Sequence, residues 1–305
     1  MARRRRGRPV HGWLVIDKPV GVTSTAVVAK ARWAFDAQKA GHSGTLDPLA
    51  DGVLAVALGE ATKTVAALSD TPKTYRFTVR WGAATPSDDA ETAPHAVSPL
   101  RPTEAQIEAA LPTFTGDILQ TPPQYSAVKL DGERAYDLAR AGETLTLAPR
   151  PLHVHALRLA ARPDADHAVF EMICGPGGYV RAIARDLGAA LGCLGHVRAL
   201  RRTATGPFTE AQAIPFAALD ALRDDPAAEA HLLPLEAGLA ALPEIPVSAE
   251  AAAHLRHGRA AEVAASLPWG TPAWASLDGS AVALGRVQGG RLQPDRVFLH
   301  ALPEG

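Results

Sequence analysis

The alternation of apolar and polar positions divides the chain into segments of two different periods. Residues 11–17 (HGWLVID) form a short apolar run and read as a strand. After the turn Lys18-Pro19-Val20-Gly21, residues Val27, Val28, Ala31 and Phe35 recur at helical spacing, with Thr23 or Ser24 placed to cap the helix. Residues 40–48 are punctuated by glycine and read as a loop. A strand at 53–58 and a short helix at 60–68 follow. Residues 74–81 (TYRFTVRW) alternate well and predict another strand. Residues 85–102 are polar, acidic and proline-rich, the pattern of a surface loop.

Further on, Thr103-Glu104-Ala105-Gln106 is a capping-box pattern that opens a helix to about Leu111. Residues 120–145 hold few large apolar side chains and many charges, so they predict an excursion from the core. Residues 152–161 and 167–174 read as strands, the second ending at Gly175-Pro176-Gly177-Gly178 before a helix over 179–191. Residues 216–243 are Ala/Leu-rich and predict helix. Short strands separated by Asp278-Gly279 and Gly289-Gly290 then predict a small β-rich C-terminal domain. Strands and helices mixed without a regular βαβ repeat favour an α/β (α+β) class with a mixed, largely antiparallel central sheet flanked by helices.

Composition changes this picture in three places. No apolar run approaches the roughly 20 residues that span a bilayer, and no signal-peptide core follows the basic start, so a cytoplasmic protein is expected. The two cysteines, Cys174 and Cys193, stand in no CxxC pair, which argues against structural zinc. Net charge is −1, yet residues 1–81 carry 13 Lys/Arg against 6 Asp/Glu while residues 216–305 carry 6 against 11. A polyanion would therefore be drawn to the N-terminal part.

The segment carrying candidate chemistry is residues 41–52, GHSGTLDPLADG. Asp47 precedes Pro48, which biases it toward extended backbone, and nearby glycines allow a tight loop. A carboxylate on a rigid turn can act as a nucleophile or a general base. Spacing alone favours a plain Asp-Pro surface turn.

Residues 41–54 resemble the signature G-H-x-G-x-L-D-P-x-A-x-G of the TruB pseudouridine synthases. Four further blocks resemble the same family in order: residues 12–24 (GWLVIDKPVGVTS), 73–76 (KTYR), 122–129 (PPQYSAVK) and 177–181 (GGYVR). Residues 196–202 (HVRALRR) complete the set, and the likeness spans about residues 11–208. The resemblance implies a pseudouridine synthase fold that isomerises the uridine at position 55, in the TΨC loop of tRNA. It implies Asp47 as the catalytic carboxylate, Tyr75 as the aromatic that packs on uracil, and Arg181 as its partner in a forked pair with Asp47. Tyr179 and Leu200 match positions lining the uridine pocket, and His42 matches a histidine that contacts a nucleotide. Lys18 reads as either structural support or a phosphate contact. The excursion at 120–145 matches an insertion that clasps the T-arm, with Lys129, Arg134 and Arg140 as candidate phosphate contacts.

The implied domains are a basic disordered tail (1–9), a catalytic domain (10–243) and a PUA-like RNA-binding domain (244–305). The reaction involves no redox change and no net group transfer, so neither cofactor nor metal is expected. A monomer acting on tRNA without guide RNA, membrane or obligate protein partner is expected. Asp47 could attack C6 of uracil or C1′ of ribose, or act as a base; the residues leave the three open, and Tyr75 could also serve as a general base. Two departures stand out. Asp51 lies where a small or hydroxyl residue is commoner and is expected to face solvent; Gly178 lies where threonine is common. Competing readings are a non-catalytic RNA-binding protein on the same fold, a guide-RNA-dependent relative, and a glycosidase using Asp47 with Asp51.

Overall fold

The computed structural model describes residues 7–126, 128–130, 133–141 and 145–299. In chain order its main elements are β1 (Gly12–Lys18), α1 (Ser24–Ala34), β2 (Ala40–Ser43), β3 (Ala50–Leu58), α2 (Val65–Ser69), β4 (Lys73–Trp81), α3 (Glu104–Ala110), β5 (Gly116–Gln120), α4 (Ala135–Arg140), β6 (Arg150–Ala161), β7 (His167–Cys174), α5 (Val180–Ala190) and β8 (Gly195–Thr205). Short strands and 3-10 turns lie between them, and a β-rich region closes the chain. The caps behave as their sequence demands. Thr23 accepts from the Ala26 N–H to start α1, and Thr103 with Gln106 forms the expected capping box at α3.

Two compact units divide the chain. One holds Met1–Leu46, Val53–Thr71 and Thr205–Gly305; the other holds Asp47–Gly52 and Pro72–Ala204. In the first unit β1 lies between β3 and the short strand Ile214–Pro215, and β2 pairs antiparallel with the far end of β3. Trp13 is fully buried there, its ring tilted at 45° to that of Phe208 with centroids 5.3 Å apart, in one cluster with Leu235, Leu239, Trp274 and Phe298. The C-terminal part is a five-stranded sheet ordered Glu244–Pro246, Pro272–Leu277, Ser280–Gln288, Arg291–Val297, Ala261–Glu262, so the expected β-rich end is present. Its core (Ile245, Ala252, Leu255, Val282, Val287, Leu292) is closed by the helix Ala249–Arg256.

The second unit is built on the sheet order β8-β4-β7-β6-β5. From β4 to β5 every neighbour is antiparallel, and Tyr75 stands opposite Met172. Phe77, Trp81 and Phe170 pack on one face of it, with ring centroids 5.4 and 6.2 Å apart. At the other edge Leu200–Arg202 of β8 run parallel to Ala50–Gly52, the start of β3. Gly52 is required here: its φ is +98°, and a Cβ would lie 2.2 Å from the Arg202 carbonyl oxygen.

Four expectations change. The glycine-punctuated segment at 40–48 begins with a strand, because Ala40–Ser43 find hydrogen-bond partners in Ala55–Leu58. The helix expected at 60–68 is a 3-10 turn, Gly59–Lys63, followed by the single α-turn of α2. Residues 216–243 are three 3-10 segments, since Pro226 and Pro234 deny any long α ladder its N–H donors. Residues 85–92 are not a surface loop, for Thr85, Ser87, Asp88 and Asp89 are buried. Of the expected basic tail, residues 1–6 lie outside the described set. Arg8 exchanges backbone hydrogen bonds with Asp36 and Gln38. No helix among the described residues is long and apolar enough to cross a membrane.

Candidate active site

Asp47, Pro48, Leu49 and Ala50 make a turn closed by the Ala50 N–H donating to the Asp47 carbonyl at 3.0 Å. Proline at its second position presets φ, so the turn is stiff. The residue before it is fixed as well: the buried Ser24 hydroxyl donates to the Leu46 carbonyl at 3.0 Å and accepts from the Leu46 N–H at 2.9 Å. The Asp47 side chain is 40% exposed, open to an incoming group.

Arg181 meets it from the first turn of α5. Its Nε lies 2.9 Å from Asp47 Oδ2, and its side chain is 7% exposed. The expected forked pair does not form. Nη1 donates to the Ser87 carbonyl at 3.0 Å and Nη2 to the Tyr125 carbonyl at 2.8 Å, so the guanidinium is spread over three partners. The two backbone carbonyls hold the terminal nitrogens, and Nε is the nitrogen that meets the carboxylate.

A second carboxylate approaches the same arginine nitrogen. Asp89, buried to 2%, has Oδ2 3.7 Å from Arg181 Nε. Its Oδ1 accepts from the Ser87 hydroxyl at 2.5 Å and from the Glu91 N–H at 3.0 Å. The Thr85 hydroxyl donates to the Asp89 carbonyl at 2.6 Å, and Asp89 bridges to Val197 of β8. Glu91 in turn accepts from the Leu49 N–H, tying this loop to the Asp47 turn; burial, then the charges of Asp89 and Asp47, push its carboxyl up. The neighbouring Asp88 adopts φ +59° and pairs with Arg185 at 2.9 Å, and burial raises its carboxyl to about 6.

Tyr75 is half-buried on β4. Burial pushes its phenol up, opposed first by the field of Arg202, which also donates a hydrogen bond to it. Arg202 is 1% exposed, and burial lowers its own value. Tyr179 is the N-cap of α5 and half-buried, with its phenol likewise raised by burial. Leu200 is 9% exposed on β8 opposite Ala50. Asp47, Tyr75, Tyr179, Arg181 and Leu200 thus all belong to the second unit.

The remaining candidates fall elsewhere. His42 lies in β2 opposite Val56, in the first unit. Lys18, also there, is fully buried, and its ammonium donates to the Pro19 and Val22 carbonyls at 3.0 and 2.7 Å. Lys129 and Arg134 stand opposite each other in a two-stranded hairpin and Arg140 ends α4; their side chains lie outside the described set. Asp51 does not simply face solvent: its carboxylate lies 3.4 Å from Arg201, its ladder partner on β8, with both side chains 33% exposed. At Gly178 a Cβ would come within 2.7 Å of the Cys174 sulfur, so glycine fits this entry to α5 where a larger residue would need the sulfur to move.

Sequence reading missed Asp89 because it sits in an acidic, proline-rich stretch with no local pattern. Arg202 belonged to a recognised block but carried no assigned role.

Comparison with known proteins identifies the family. Residues 32–180 match the family model "TruB family pseudouridylate synthase (N terminal domain)", and residues 181–240 match "tRNA pseudouridylate synthase B C-terminal domain". The chain is 60% identical over 301 residues to tRNA pseudouridine synthase B of Dinoroseobacter shibae, covering 98% of this chain and 99% of that protein. It is 57% identical over 305 residues to tRNA pseudouridine synthase B of Ruegeria pomeroyi, covering all of both. Its fold superposes on a chain of the "Crystal Structure of a Cbf5-Nop10-Gar1 Complex" with a TM-score of 0.74 at 26% identity, covering 94% of this chain and 85% of that one. With an aspartate on a proline-stiffened turn, a buried arginine aimed at it, and relatives of this identity over the full length, the chain belongs to the TruB family of pseudouridylate synthases.

Proposed function

We propose that this protein isomerises uridine 55 in the TΨC loop of tRNA to pseudouridine, acting alone, with Asp47 as the essential carboxylate. The reaction breaks the N1–C1′ bond, turns the uracil and joins C5 to C1′; the C5 hydrogen leaves as a proton and N1 gains one. Attack by Asp47 at C6, attack at C1′ and proton abstraction from the sugar share one requirement: an aspartate held in one direction beside the glycosidic bond. The ion pair of Arg181 Nε with the Asp47 carboxylate at 2.9 Å, on a guanidinium whose Nη1 and Nη2 are held by two backbone carbonyls, is the observation that supports this reading. Such pre-set geometry is worth orders of magnitude in rate because no reorganisation is needed at the moment of reaction.

Tyr75 is assigned to stacking on the extruded base. Extrusion costs a few kcal/mol, and one stacked aromatic returns roughly 1–3 kcal/mol. Tyr179 and Leu200 line the uracil pocket. His42 is assigned to a nucleotide contact, and Lys18 to bracing the turn after β1. The insertion at 120–145 is assigned to gripping the T-arm, with Lys129, Arg134 and Arg140 on phosphates, and the C-terminal sheet to a PUA-like RNA contact. Phosphate contacts would position the RNA, while loop shape and the flipped base would specify it.

Tritium release from C5-labelled uridine in an unmodified tRNA transcript, by purified protein with no added RNA, tests the reading. Release mapped to the TΨC-loop uridine is expected. Folded protein that binds the transcript and releases nothing would favour the non-catalytic binding protein or the guide-dependent relative.

A further inference from the structure

Gln120 ends β5 with its side chain 3% exposed. Its Nε2 donates to the Tyr179 carbonyl at 3.1 Å, and its Oε1 accepts from the Tyr179 N–H at 2.9 Å. A primary amide carries donor and acceptor side by side, so it grips both polar groups of one residue as a neighbouring strand would. The residue it grips is the N-cap of α5, which has no side-chain cap of its own. The Tyr179 carbonyl also accepts the helical hydrogen bond from Ile183 at 3.2 Å, so the clamp fixes the backbone from which α5 starts. Arg181 follows two residues later. The chain leaving Gln120 is fastened to the same helix twice more, with Arg185 donating to the Thr121 carbonyl and Arg181 to the Tyr125 carbonyl, each at 2.8 Å.

We propose that Gln120 is the positioning residue of the Arg181–Asp47 pair, fixing the start of α5 and thereby the direction from which Arg181 meets Asp47. The proposal rests on the role of Asp47 given above. Gln120 acts through Tyr179 and Arg181, so its loss should lower the rate of the chemical step more than tRNA affinity.

The test compares Gln120→Met and Gln120→Glu with wild type in single-turnover tritium release and in tRNA binding, across a range of pH. Methionine fills a similar length without polar atoms. Its rate at saturating tRNA should fall roughly 10- to 100-fold, the scale of about 1 Å of misplacement, with affinity kept within about twofold. Glutamate keeps the acceptor for the Tyr179 N–H. Ionised, it turns an oxygen on the Tyr179 carbonyl; protonated, which burial favours, its O–H donates there again. Gln120→Glu should therefore match wild type at low pH and fall toward Gln120→Met as pH rises, or match wild type throughout if it stays protonated. A rate for Gln120→Met within about twofold of wild type overturns the proposal, because misplacement of a catalytic group costs far more. Loss confined to tRNA affinity overturns it too, as does Gln120→Glu as impaired as Gln120→Met at every pH. The NMR resonance of the Arg181 Nε–H, assigned by its loss in Arg181→Lys, reads the same question without the reaction. It should move in Gln120→Met; an unmoved resonance overturns the inference. Wild type that releases no tritium refutes the reaction assigned above, and the Arg181 resonance still decides the role of Gln120.

Discussion

Residues 43–52 and residues 85–92 each bring a carboxylate to Arg181, and they do it by opposite means. Asp47 sits on a turn made rigid by local covalent structure and is 40% exposed. Asp89 sits on a loop held by hydrogen bonds to its own side chains and to β8, and is 2% exposed. The first carboxylate can meet a substrate. The second, out of solvent, meets the arginine, the Ser87 hydroxyl and the Glu91 N–H. One cation is thus held at its terminal nitrogens by two carbonyls, and both carboxylates approach its Nε. The difference separates reacting groups from groups that hold them, and substitutions isosteric in shape can test it.

Asp47→Asn should have the largest effect. It removes a charge with almost no change in volume, on a turn whose stiffness comes from Pro48. Tritium release should fall by about 10²–10⁴-fold or more, the range for loss of a positioned acid, base or nucleophile. tRNA affinity and thermal midpoint should stay near wild type. An equal loss of affinity and rate would place Asp47 in RNA binding and erase the contrast with Asp89.

Asp89→Asn should come next and should differ in kind. The amide oxygen can still accept from the Ser87 hydroxyl and the Glu91 N–H, but the charge facing Arg181 is gone. Removing a charged partner from a buried network costs about 1–3 kcal/mol of stability. The rate should fall about 10-fold to 100-fold through misaligned Arg181. Denaturant unfolding and single-turnover rates, measured together, check this; a rate loss without any stability loss would make Asp89 a reacting group after all.

These contrasts also show what was legible in the amino-acid order. Asp47 was legible because its setting is local: Pro48 follows it, glycines flank it, and the segment carries a family pattern. The strands at 167–174 and 73–81 were legible because alternation reports one buried face. Asp89 was not, since its burial comes from contacts with β8 and α5, more than a hundred residues along the chain for Val197. An acidic, proline-rich string signals a surface loop unless those partners are known. That Arg181 meets Asp47 through Nε and not through a fork was likewise hidden, because the competing carbonyls of Ser87 and Tyr125 are backbone groups that carry no residue signal.

Asp88 lets the buried loop be probed by pH. Its carboxyl is raised to about 6 by burial, against the pull of Arg185. A carboxyl raised in the fold binds its proton more tightly there than in the unfolded chain. Its ionisation therefore costs stability above about 6, and that cost is relieved as pH falls toward the unfolded value of 3.8. Asp88→Asn removes the ionisation, and asparagine tolerates the positive φ. The variant should be more stable than wild type at pH 7 by about 1–3 kcal/mol, with the advantage shrinking as pH falls from 6 to 4. Urea unfolding at several pH values reads it. An advantage that does not vary with pH would mean that Arg185 holds Asp88 ionised throughout.

Asp51→Asn should have the smallest effect, and it sharpens the comparison because Asp51 follows Asp47 by four residues, at the start of β3. Proximity in sequence would predict a shared role. The structure instead turns Asp51 to Arg201, its partner in the ladder between β3 and β8, at 3.4 Å with both side chains one-third exposed. A pair at that distance and exposure is screened by water and is worth about 0–1 kcal/mol. The substitution should leave tritium release within about twofold and stability within about 1 kcal/mol. The glycosidase reading needs Asp51 as the second carboxylate of an acid–base pair, so it requires a loss near that of Asp47→Asn. A small effect would remove that reading and show that what makes an aspartate reactive in this segment is the buried arginine beside it, not the segment itself.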